Sequence, residues 1–147
     1  MLGHIDNISG IGLHLDLVLR KVQDAYLRAF QDMGIDMTIE QWVILYRIHQ
    51  LGDDASQAEI VRSNFRNRAT TSRVIGGLER KGWISKMRFK GDKKRFRLVL
   101  TPLGTDIIAQ IEPRANALRK LAVKDLNPED FHIFLSVLDK IGDNYSE

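Results

Sequence analysis

The sequence predicts a mainly α-helical chain with one small β-hairpin wing, that is, a winged helix-turn-helix. Three observations predict it. Apolar residues recur every three or four positions along most of the 147 residues. In one stretch, 83–100, the period drops to two around a Gly-Asp turn. Positive charge is concentrated in and just before that stretch: residues 60–97 hold 13 of the 22 Lys and Arg but only two of the 19 acids, Glu79 and Asp92. That local charge of +11 leaves −8 for the remainder, a basic module on a mildly acidic frame. Such asymmetry calls for a polyanionic partner, either nucleic acid or an acidic membrane surface.

The elements follow in order. Ile11, Leu15, Val18, Leu19, Val22, Tyr26, Leu27 and Phe30 give 9–32 the apolar stripe of a long helix, which Gly34 ends. Thr38 with Gln41 three residues on is a capping box for a second helix, which runs to Gly52. Ser56 with Glu59 repeats the pattern and opens a short helix through about Ser63. Asn64 to Asn67 make a polar break, and a fourth helix runs over 67–81 to Gly82. Helix, tight turn and next helix form a helix-turn-helix.

In the hairpin, Trp83, Ser85, Met87 and Phe89 share one face of the first strand, and Phe96, Leu98 and Leu100 alternate along the second. These apolar residues are expected to fix the root on the domain, while Lys90, Lys93, Lys94 and Arg95 extend at the tip. Thr101-Pro102 starts a long helix to about Ala122, with Pro113 inside, and Asn127-Pro128 starts a last helix through Ile141.

In the fourth helix Thr71, Val74, Ile75 and Leu78 share the face expected to be buried, and Arg66, Ala69, Thr70, Arg73, Gly77 and Arg80 the opposite one. The candidate DNA-binding residues are Gln57, Arg66, Asn67, Arg68, Thr70, Ser72 and Arg73, with Arg88, Lys90, Lys93, Lys94 and Arg95 on the wing. Arginines fork onto guanine edges or phosphates, and small hydroxyl residues bring the helix close to the groove floor. Trp42, Tyr46 and His49 lie along one side of the second helix. They fill the core or offer polar ends to a small ligand.

Other chemistries are not supported. Without cysteine there is no disulfide, thiolate metal site or thiol redox switch. His4, His14, His49 and His132 lack metal-ligand spacing, and no nucleophile, base and orienter are grouped. Gly10 and Gly12 follow no strand, so they form no dinucleotide loop. No catalytic residue, metal or cofactor is expected. No Lys or Arg precedes Arg20 and no apolar run spans a bilayer, so the chain reads as cytoplasmic, with no membrane partner.

The stretches MTIEQWVIL (37–45), SQAEI (56–60), TTSRVIGGLERKGWI (70–84) and GDKKRFRLVLTPLG (91–104), in this order, resemble the MarR family of transcription regulators. LERKGWI, together with Asp92 ahead of LT-x-x-G (100–104), is fairly specific, and the resemblance covers nearly the whole chain. It implies one MarR-like domain over 1–147, with a DNA-binding lobe at 35–101 and dimerisation helices at 1–34 and 102–147. It also implies a homodimeric repressor of pseudo-palindromic double-stranded DNA, released by a small aromatic or phenolic effector bound near the second helix. Two features depart from the family pattern. Asp92-Lys93-Lys94 puts lysine where the family's Asp-x-Arg has arginine, leaving Lys94 or Arg95 to enter the minor groove. Asn64-Phe65 replaces the usual leucine-glycine before the recognition helix. The alternatives are a non-specific DNA- or RNA-binding architectural protein, and a small-anion-binding protein or enzyme that uses the basic face.

Overall fold

The helix boundaries fall where side chains satisfy the backbone groups that helix ends leave open. In a computed structural model, which describes residues 10–63, 67–91 and 95–146, α1 spans Gly10–Asp32. It closes in a Schellman turn: Gly34 N–H donates to Gln31 O (3.0 Å) and Ile35 N–H to Phe30 O (2.9 Å), with Gly34 at φ 69°. Buried Phe30 and Ile35 are the apolar pair that accompanies such a turn. Helix α2 spans Ile39–Leu51, and both arms of its capping box are made. Gln41 N–H donates to Thr38 Oγ1 (3.0 Å) and Thr38 N–H to Gln41 Oε1 (3.2 Å).

A 3₁₀ turn at Gly52–Asp54 leads into α3, Gln57–Ser63, which Ser56 caps through Glu59 N–H at 3.0 Å. Helix α4, Arg68–Arg80, is capped by Asn67, whose Oδ1 accepts from Thr70 N–H at 2.7 Å. Helix α5, Pro102–Ala122, begins at Thr101, which accepts from Gly104 N–H (3.0 Å). Helix α6, Pro128–Tyr145, begins at Asn127 with Pro at its first position. It runs four residues beyond the expected end at Ile141, through Gly142, which a helix tolerates at a cost of about 1 kcal/mol.

Between α4 and α5, β1 (Ile84–Arg88) and β2 (Phe96–Leu100) form the antiparallel wing, in the register Ile84↔Leu100, Lys86↔Leu98 and Arg88↔Phe96. This register corrects one expectation. Trp83 is buried, but Met87 is 54% exposed, and the strand face that meets the domain is that of Ile84 and Leu98, 2% and 0% exposed. Lys86 stands on that inner face and is accommodated because its ammonium reaches the Glu79 carboxylate (3.3 Å) while its stem covers apolar surface. A further pairing has no periodic signal. Ser56 bridges Arg97, and Leu98 N–H donates to Ala55 O at 2.7 Å, which fixes β2 to the helix-turn-helix.

By its contacts the chain divides into two compact units, Met1–Pro113 and Arg114–Glu147. The core of the first contains Phe30, Ile44, Leu45, Ile48, Ile60, Ile75, Leu78, Leu98, Ile108 and Ile111, each at most 2% exposed. Burying each contributes about 2 kcal/mol. In α4 the expected inner face holds: Thr71, Ile75 and Leu78 are fully buried, with Val74 half-buried. Gly77 lies against α2, since a β-carbon there would sit 3.4 Å from Gln41 Nε2. It serves helix packing instead of the exposed face on which the periodicity put it.

In the second unit Phe131 and Phe134 stack at 6.3 Å, and the turn between helices has Asp125 in the left-handed region at φ 61°. Ile133, Phe134 and Val137 are each about half exposed. Among the described residues no helix is long and apolar enough to cross a membrane, and no three His, Asp or Glu gather where they could hold a metal ion.

Candidate nucleic-acid interface

Helix α3, the N-terminal half of α4 and the wing enclose a cleft of about 550 Å³. Four of the residues expected to bind DNA line it: Gln57 from the first turn of α3, Arg68 and Ser72 from α4, and Arg95 from the wing. The cleft also takes in Arg62 and Lys86, which the sequence placed in the basic module without singling them out. Arg62 pairs with Glu59 one helical turn away, a spacing legible in the sequence. Lys86 pairs with Glu79, which only the folded register brings near. The wall is therefore cationic, with each acid already turned toward a cation.

On the exposed side of α4, Arg73 Nη2 donates to Thr70 Oγ1 at 3.2 Å, which holds the guanidinium across the helix surface. Asn67 is exposed, and its carbonyl oxygen is engaged as the helix cap, so its amide N–H groups are what it can offer a ligand. The α4 N-terminus thus presents N–H donors together with Arg68, Thr70, Ser72 and Arg73, a combination suited to phosphate oxygens and base edges.

The wing is stiffened by aromatic contacts. Arg95 stacks over Phe89 at 4.4 Å, Arg88 lies 5.2 Å from the Phe96 ring, and Phe89 N–H donates to Arg95 O at 3.2 Å. Gly91 supplies a left-handed turn residue at φ 81°, and Lys90 beside it is exposed. Arg97, on the opposite strand face, pairs with Asp53 at 3.1 Å, and its buried Nε has no hydrogen-bond partner among the described residues. It anchors the wing root beside the 3₁₀ turn. The expected contacts Arg66, Lys93 and Lys94, the Asn64-Phe65 replacement and Asp92 of the wing motif lie outside the described residues.

The second candidate set is split. Phe30, Trp42, Tyr46 and His49 form a row of ring contacts at 6.0, 5.2 and 5.8 Å. Trp42 and Tyr46 line a cavity of about 230 Å³ with Arg47, Gln50, Ile60 and Ser63. Trp42 also faces a cleft of about 440 Å³ between α1 and α2, with Tyr26, Gln23 and Glu40. His49 belongs to a third cavity, about 240 Å³, against Asp53 and β2. The three residues lie along one helix side, but α1 packs at one end and β2 at the other, so no single pocket holds them all. Trp42, 6% exposed, is largely a core residue.

Comparison with known proteins gives the same fold. The MarR family model matches residues 37–96. Among solved structures, the S. aureus MepR–DNA complex superposes with a TM-score of 0.80 at 20% identity, covering 90% of this chain and 96% of that one. A mutant of E. coli MarR complexed with operator DNA gives 0.78 at 19% identity over 93% and 96%. Bordetella bronchiseptica BpsR, described with regulation of its DNA binding by 6-hydroxynicotinic acid, gives 0.76 at 21% identity over 92% and 94%.

Proposed function

We propose that this chain, whose residues 37–96 match the MarR family model, is a MarR-family DNA-binding transcription regulator that acts in the cytoplasm as a homodimer and represses from pseudo-palindromic sites. The observation that carries this reading is the cationic cleft in which Gln57, Arg68, Ser72 and Arg95 converge beside the exposed N-terminal half of α4. Helix α4 would enter a major groove, with Arg68, Thr70 and Arg73 reading base edges or fixing register, and the wing cations would hold flanking phosphates. In this reading the chain is a binding module and not an enzyme.

Homodimerisation is supported by unpartnered apolar surface at both chain ends. Leu17, Val18, Leu19 and Val22 on α1 and Ile133, Phe134 and Val137 on α6 are each between 43% and 53% exposed. Apolar residues grouped on one helix and left half exposed are the kind of surface that a partner covers. Two recognition helices would then fall in major grooves about one helical turn apart. Control by a small aromatic or phenolic effector is supported by the Trp42-lined cavities, and by the ligand control described for BpsR.

The test is fluorescence anisotropy of the full-length protein with the intergenic duplex upstream of its own gene. Titrations are run with and without excess random-sequence competitor, at two salt concentrations. Binding that survives the competitor, with a Kd in the range of about 10⁻⁸–10⁻¹¹ M at physiological salt, is expected. Genome-wide selection of bound fragments that returned no preferred sequence would overturn the reading in favour of a protein that grips DNA by charge alone.

A further inference from the structure

Thirteen basic residues lie in the segment 60–97, and among them Lys81 is tied to groups of the protein itself. Lys81 directly follows α4. Its Nζ donates to Gln41 Oε1 at 2.9 Å and to the Asp36 carbonyl, and stands 3.6 Å from the Asp36 carboxylate. Two of the ammonium's three N–H donors are thus engaged, and the Asp36 carboxylate offsets its charge. The group also lies 4.7 Å over the Trp83 ring, and the side chain is only 26% exposed. Gln41 Oε1 accepts at the same time from Thr38 N–H, the return arm of the α2 capping box. One ammonium therefore ties the C-terminal end of α4 to the N-terminal end of α2, at the place where Gly77 lets the two helices touch.

The far end of α4 carries the residues placed at DNA. Its 13 residues make a rod about 20 Å long at 1.5 Å per residue, so a tilt of about 5° at the Lys81 end moves the other end by nearly 2 Å. A shift of that size breaks a bidentate base contact but leaves long, flexible phosphate contacts intact. We infer that Lys81 is a positioning residue. It sets the pose of the recognition helix, and with it sequence preference, without touching DNA. This inference rests on the DNA-binding reading above.

The experiment uses full-length protein on a selected cognate duplex and on a random duplex, each over a salt series. Lys81→Met keeps the apolar stem over Trp83 and removes the donors. Its cognate affinity is expected to fall about tenfold, the scale of one lost base contact, while affinity for random DNA stays within twofold. The slope of log K against log salt is expected to be unchanged, whereas loss of a direct phosphate contact lowers it by about 0.9. Lys81→Arg, which keeps charge and donors, is expected to restore most of the preference. Should Lys81→Met fail to fold by circular dichroism, Gln41→Met removes the acceptor from the opposite side and is expected to produce the same selective loss. Wild-type preference for cognate DNA, with Lys81→Met or that substitute unchanged or with a reduced salt slope, overturns the inference alone. A wild type with no sequence preference overturns the DNA reading and the inference together.

Discussion

Gly104 and Trp83 meet backbone to backbone: a β-carbon on residue 104 would stand 2.0 Å from the Trp83 carbonyl oxygen. That carbonyl also accepts from Thr101 N–H at 3.0 Å, and Thr101 Oγ1 donates to the Gly82 carbonyl at 2.6 Å. The first turn of α5 is thereby seated on the turn that links α4 to the wing. Gly104→Ala has no room unless one backbone retreats, and the expected cost is about 3 kcal/mol, the upper end for overpacking a well-fitted contact. Chemical denaturation checks it. A change under about 0.5 kcal/mol, the range of an ordinary surface substitution, would show that the junction yields easily.

Asn67 has two separable duties. As the cap of α4 it contributes about 1 kcal/mol, which Asn67→Ala should remove. Asn67→Asp caps equally well and is expected to leave thermal stability unchanged. It places a carboxylate at the α4 N-terminus, beside Arg68 and Thr70, and is therefore expected to weaken binding to any duplex. Melting curves combined with anisotropy separate the two. If Asn67→Asp bound DNA as tightly as the parent, this end of α4 would not lie at the phosphates.

Arg73 and Lys90 are expected to fail in different ways. If α4 enters a major groove as proposed, Arg73, braced on Thr70, reads a base edge, and Arg73→Ala should cost about 1–3 kcal/mol on the cognate site and relax preference there. Lys90 is exposed beside the wing turn, and Lys90→Ala should weaken all duplexes alike while lowering the salt slope by about 0.9. A sequence-dependent loss from Lys90→Ala would place the wing in a groove instead of along the backbone.

The caps at Thr38, Ser56, Thr101 and Asn127 were legible in the sequence because a cap is a bond between neighbours: side-chain oxygen and amide N–H lie two or three residues apart. The helix interiors were legible through period, as Thr71, Ile75 and Leu78 illustrate. The inner face of the wing was not. Alternation alone favours the uncharged face of Ser85 and Met87, flanked by Trp83 and Phe89, and only the pairing with Leu98 decides that Ile84 and Lys86 turn inward. The Ala55–Leu98 bond, the Lys86–Glu79 pair and the Lys81 tie were hidden for a related reason. Each joins side chains or backbone of different elements, and such contacts impose no periodicity.

Val137 tests the dimer. It is 50% exposed on α6, among Ile133, Phe134 and Leu135, so in a monomeric protein Val137→Asp would be a surface change worth at most about 0.5 kcal/mol. If that face is covered by a second copy, the same substitution buries an unpaired carboxylate, and the partner copy must leave or the charge must be neutralised. The variant is then expected to run at half the parent's mass by light scattering, and the parent's Tm, but not the variant's, should rise with protein concentration. Loss of the second half-site should lower affinity for a two-fold operator by a factor of about 10²–10⁴ while leaving affinity for an isolated half-site unchanged. A variant that kept the parent's mass and melting behaviour would place the dimer contact elsewhere, with the apolar face of α1 around Val18 and Val22 next to be tested.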